Sequence, residues 1–132
     1  MNTFSPLDLV RAHRWSNAFF TTYALSLSCF EAVILDALVR QEVERTLVLA
    51  DVAGVGAAVA EYGSRCAGRM YEIEPAVVEH GCFHPKFAAL TSSTEACLVI
   101  GSGNLTFRRW GSNLECLEHL HANFAAEKLR PA

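Results

Sequence analysis

Residues 84–104 read HPKFAALTSSTEACLVIGSGN, and the fold turns on this stretch. Phe83 to Leu90 and Ala96 to Gly101 are apolar segments of strand length, joined by the polar turn TSSTE, which predicts a strand pair. His84 and Lys86 stand two residues apart, so an extended chain points an imidazole and an ammonium to one face. Pro85 between them takes an N–H out of the middle of that predicted strand. After the second strand, Gly101-Ser102-Gly103-Asn104 offers backbone N–H groups, a hydroxyl and a carboxamide to an anion. A neutral imidazole is a nucleophile, and a neighbouring cation neutralises phosphate oxygens while it attacks. Further on, Asn113-Leu-Glu115 supplies a carboxylate able to take the other ring N–H of His84 and fix its tautomer.

Upstream, helices and strands alternate. Asn17 to Tyr23 (NAFFTTY) is aromatic and β-branched, a strand. Ser28 and Glu31 are spaced as a capping box, and Phe30, Val33, Ile34, Ala37 and Leu38 then fall on one helix face ending near Gln41. Thr46 to Ala50 (TLVLA) is wholly apolar, as in a buried parallel strand. An Ala-rich helix is expected over Val55 to Cys66, and a strand over Arg69 to Ile73. Downstream, a short helical stretch around Phe107, a strand over Leu114 to Leu120 and a helical or frayed tail complete the chain. Together these predict one domain over residues 1–132: an α/β fold, a mixed β-sheet flanked by helices on both faces.

The composition narrows the function. Of 132 residues, 52% are apolar and 19% charged, with a net charge of −3. The mean hydropathy is +0.21. A disordered chain and a histone-like polycation are both excluded, so a nucleic-acid surface must be a local patch. The charged fraction falls below the ~25% usual for soluble domains, which suggests that part of the surface is covered by another chain. Met1 to Trp15 carries Asp8, Arg11 and Arg14 and lacks a signal-peptide core, and Ser16 to Phe30 is too short and too rich in Ser and Thr to span a bilayer. The five cysteines are never spaced as CxxC and are expected to be buried, reduced thiols of a cytoplasmic protein.

Three weaker signals compete. Asp51-Val-Ala-Gly54-Val-Gly56 follows a strand and precedes a helix, but Val59 stands where a dinucleotide fingerprint needs its third glycine. Two glycines there are adequately explained by a tight bend. His80, Cys82 and His84 would share a strand face, yet no fourth ligand stands at a zinc-site spacing, so no metal is assigned. His119 and His121 also share a face and are expected to be solvated.

HPKFAALT followed by LVIGSGNLTFRRWGSNLE resembles the phospholipase D superfamily, whose signature is HxKxxxxD and then GSxN. GSGNLT with the later NLE is especially similar to bacterial phospholipase D-like nuclease domains. TTYALSLSCFEAVIL and TLVLAD resemble their opening strand, helix and strand, so the likeness runs from Asn17 to Leu120. It implies a metal-independent phosphodiesterase, a nuclease, that needs no cofactor. His84 would form a covalent phosphohistidine, with Glu115 orienting it. Lys86 and Asn104 would hold the non-bridging oxygens, assisted by Ser102 and the Gly103 backbone. Arg108 and Arg109, just past the phosphate-binding turn, are placed to contact a nucleic acid, DNA before RNA and with no membrane involved, or else form a solvated helix face, the more usual fate of an Arg pair. Thr91 stands where the motif has Asp, a departure shared by tyrosyl-DNA phosphodiesterases. It leaves open a degenerate, non-catalytic nucleic-acid-binding or assembly domain. Members bring two HxK motifs to one phosphate, and this chain holds one. The resemblance therefore implies a homodimer that completes the site, or a second motif in a longer protein that this domain opens.

Overall fold

The computed structural model describes residues 6–101 and 118–124. Helix α1 (Pro6–Ala12) leads into β1 (Asn17–Thr22), and a helical run of α2 (Leu27–Cys29), a π-helical turn (Phe30–Leu35) and α3 (Asp36–Arg40) leads into β2 (Arg45–Asp51). Helix α4 (Val52–Glu61), then β3 (Glu72–Ala76), β4 (Phe87–Thr91), β5 (Glu95–Ile100) and β6 (Glu118–Asn123) follow. The six strands form one mixed sheet in the order β3-β2-β1-β4-β5-β6. β1 runs parallel to β2 and antiparallel to β4, and β4, β5 and β6 are antiparallel in turn. This is the α/β class with a mixed sheet that the sequence predicts.

Alternation along the strands places the core. Ala18, Phe20 and Thr22 of β1 align with Thr46, Val48 and Ala50 of β2, and Ala18 and Phe20 with Leu90 and Ala88 of β4, all buried on one face. Val10, Trp15, Phe30, Ile34, Leu38 and Ala58 from the helices and their connections join the same cluster. Each large apolar side chain buried there contributes about 1.5–3 kcal/mol. Phe19, Leu47, Leu49, Phe87 and Leu98 point to the other face and are half-buried.

Several local expectations are corrected. The N-cap of α2 is Ser26, whose hydroxyl accepts the Cys29 N–H at 3.2 Å, and Glu31 does not close a box with Ser28. Glu31 instead accepts hydrogen bonds from the Ser64 hydroxyl and, at 2.7 Å, from Tyr71 Oη, tying the helix to the approach to β3. The π-helical turn rotates the buried face, so Leu35 is buried and Val33 only half-buried. Helix α4 starts three residues earlier than predicted, because the Asp51 carboxylate caps it by accepting the Ala53 N–H at 3.0 Å. Strand β3 starts at Glu72 rather than Arg69, and β6 lies later than predicted. Helix α1 lies in a segment for which the sequence predicts no element. Cys29 and Cys97 are buried as expected, but Cys66 is half-buried and Cys82 exposed. The stretch around Phe107, Cys116 and the tail from residue 125 lie outside the described residues.

Candidate active site

The topology brings four chain segments to one end of the sheet. β1 and β2 finish there, at Thr22 and Asp51; β4 begins there, at Phe87, and β5 ends there, at Ile100 opposite Phe87. Because β3 and β4 are three strand positions apart, the connection 77–86 crosses about 14 Å over the ends of β2 and β1. His84 and Lys86 lie on the last part of this strap.

The HPK segment is not in a strand, contrary to the sequence expectation: β4 begins at Phe87. Pro85 therefore takes no N–H from the ladder, which removes the objection to a proline in the motif. The histidine and lysine still meet. Lys86 Nζ lies 2.9 Å from His84 Nδ1 and 3.3 Å from Nε2, and 3.4 Å from the His84 carbonyl. His84 is exposed and Lys86 half-buried. Burial lowers the Lys86 ammonium from its ordinary value, with Cys82 acting weakly in the opposite sense.

Three residues that sequence reasoning did not assign to the site hold this pair. Asp51, buried at 4% exposure, accepts the Phe83 N–H at 2.7 Å through Oδ1 while Oδ2 caps α4. Thr21 Oγ1 accepts the Phe87 N–H at 3.0 Å, so both flanks of the motif are pinned. The Tyr23 ring lies over His84, with centroids 5.3 Å apart and planes tilted by 32°. Gly54 has a packing role. A Cβ on it would stand 2.2 Å from the Tyr23 carbonyl oxygen, so it is the residue that lets α4 close on the end of β1. A buried aspartate at the N-cap of a helix that follows a parallel strand is the signal from which Asp51's place could have been found.

Gly101 donates its N–H to the Lys86 carbonyl at 3.4 Å, which sets the end of β5 beside the motif. Ser102, Gly103, Asn104, Arg108, Arg109 and Glu115 lie outside the described residues. Thr91 lies at the far end of β4, about 13 Å along the strand from Phe87, paired with Asn17 and Ala96. The His80, Cys82 and His84 set does not lie in a strand, and among the described residues it forms no metal-ligand cluster. His80 has a left-handed backbone (φ 58°) and sits 3.5 Å from a Glu79 carboxylate oxygen.

No family model and no curated protein matches the sequence. Among solved structures, NucT from Helicobacter pylori superposes with a TM-score of 0.50 over 96% of this chain and 86% of that one, at 11% identity. The two proteins share a fold. At that identity the likeness speaks for the fold alone, not for individual residues. Against NucT the match spans nearly the whole chain, strands on both sides of the motif included. Among the described residues no helix is long and apolar enough to cross a membrane.

Proposed function

We propose that this chain is a metal-independent phosphodiesterase, a nuclease acting on DNA in preference to RNA, and a cytoplasmic one. The HPK and GSGN segments carry the resemblance to the phospholipase D superfamily, and the fold shared with NucT is compatible with it. The observation that carries the reading is the His84–Lys86 pair, held 2.9 Å apart at an exposed sheet end by the buried Asp51 and by Thr21. His84 attacks phosphorus, forming a P–N bond as the bond to the leaving oxygen breaks. Lys86, with Asn104, Ser102 and the Gly103 N–H, takes up charge on the non-bridging oxygens. Glu115 holds the second ring N–H. Arg108 and Arg109 contact the nucleic-acid backbone. A second copy of the chain supplies another His84, which protonates the leaving oxygen and then takes a proton from the water that cleaves the P–N bond. The low charged fraction suits such a shared interface.

The competing reading is a degenerate binding or assembly domain, for which the Asp-to-Thr departure at Thr91 is the argument. Thr91 stands at the opposite end of β4 from the motif, so that departure takes no group away from His84 and Lys86. Turnover of bis(p-nitrophenyl) phosphate in EDTA tests the choice. Activity that sediments with a dimer and disappears in His84→Ala supports the enzyme. A dimer that binds single-stranded DNA but is inert overturns it in favour of the binding domain.

A further inference from the structure

At the opposite end of the sheet a second cluster forms, unrelated to the HxK chemistry. His13 follows α1, Glu95 opens β5 and His121 lies in β6, directly opposite Cys97 in the β5·β6 register. His13 Nδ1 is 2.9 Å from Glu95 Oε2, and His121 Nε2 is 2.8 Å from Glu95 Oε1. The three ligating atoms all lie within 4.8 Å of one another. Glu95 is only 17% exposed at its side chain, whereas the two histidines are each 38% exposed. The buried Trp15 backs them, its ring centroid 5.2 Å from that of His13 and 6.3 Å from that of His121, while its indole N–H is held by the Leu9 carbonyl at 3.1 Å. His13, Trp15 and Glu95 also line an open depression of about 640 Å³, which gives an ion access from solvent.

We propose that His13, Glu95 and His121 form a binding site for a divalent transition metal, zinc being the ion that suits the set. Two imidazole nitrogens and one carboxylate oxygen are the donors of three-ligand zinc sites, with water completing the shell. Each neutral imidazole coordinates through the nitrogen that now faces Glu95 and keeps its proton on the other, so the rings need only change tautomer. The two rings also pack edge-on against each other, with centroids 5.4 Å apart, and their nitrogens already face Glu95. As a bare imidazole–carboxylate–imidazole contact at a half-open surface the cluster contributes little to stability. With an ion bound it joins the N-terminal segment to β5 and to the edge strand β6, three stretches far apart in sequence. Its distance from His84, about 17 Å along β5 alone, separates it from the phosphodiesterase reading.

The test uses the full chain, stripped of metal and dialysed against zinc chloride. The expected result is one zinc per chain and a melting temperature raised by several degrees, with no rise in magnesium. His13→Ala and His121→Ala should each weaken zinc binding about tenfold or more and remove the thermal shift. Glu95→Gln, which keeps shape and hydrogen-bonding capacity, serves where an alanine variant fails to fold by circular dichroism. Cobalt substitution should give d–d bands without a thiolate charge-transfer band. Zinc binding undiminished in these variants, a thiolate band pointing to the exposed Cys82, or no binding at all overturns the site.

Discussion

Asp51 joins the fold to the candidate chemistry, and replacing it separates the two contributions. One carboxylate oxygen caps α4 and the other holds the Phe83 N–H, next to His84. Loss of an N-cap costs about 1 kcal/mol. Loss of a charge-assisted hydrogen bond that leaves a partly buried N–H without an acceptor costs about 2 kcal/mol more. Asp51→Ala should therefore lose about 3 kcal/mol, or about 10 °C in melting temperature for a chain of this size. Asp51→Asn keeps one acceptor but turns an NH₂ toward the other donor, so it should lose about 1–2 kcal/mol and remain folded. With the retained oxygen on the Ala53 N–H and the NH₂ toward Phe83, the strap carrying His84 is no longer fixed there, and displacement by about 1 Å costs on the order of a hundredfold in rate. Denaturant titration and steady-state phosphodiesterase kinetics measure the two effects on the same sample. The expected signature is kcat falling about 10- to 100-fold with KM little changed. Turnover of the Asp51→Asn variant close to that of wild type, at reduced stability, would refute a positioning role and leave Asp51 a helix cap only.

Two further outcomes follow from geometry. Gly54→Ala forces a methyl against the Tyr23 carbonyl and should destabilise by about 3 kcal/mol, whereas Gly56→Ala meets nothing within 4 Å in the same helix and should stabilise by about 0.5–1 kcal/mol; thermal melts of the pair check both. Lys86 acts as a cation whose pKa burial lowers from 10.5, so turnover should fall on the alkaline side at a pH below that of an ordinary lysine, as the ammonium loses its proton. Lys86→Arg, which stays charged, should abolish that alkaline limb in a pH–rate profile even where its turnover is lower.

The strands were legible because each lies in an apolar or alternating run bounded by polar turns: NAFFTT, RTLVLAD and the pair around TSSTE are strands within a residue or a few of the predicted bounds. The HxK pair was legible from two residues of spacing, although a shared strand face is not what brings its side chains together. What pins it was not legible. Asp51 meets Phe83 across 32 residues and Thr21 meets Phe87 across 66, and no local pattern encodes such partners. The Ser28–Glu31 box failed for the same reason: Ser26, two residues earlier, already meets the cap geometry, and the tertiary partners Ser64 and Tyr71 claim the Glu31 carboxylate. His121 is exposed, as expected, and what its position did not reveal is that the β5·β6 register brings it within 2.8 Å of Glu95.

The strap over the sheet end has more chain than its crossing needs. Ten residues reach about 33 Å when extended, against a crossing of about 14 Å. Its first half carries the exposed Val77 and Val78 and the left-handed His80, while its second half is fastened at Phe83 and Phe87. Slack on one side of the Phe83 anchor and none on the other makes the strap modular. Residues 77–81 can be lengthened, shortened or exchanged to reshape the rim beside the His84–Lys86 pair, and the Asp51 anchor isolates that pair from those changes.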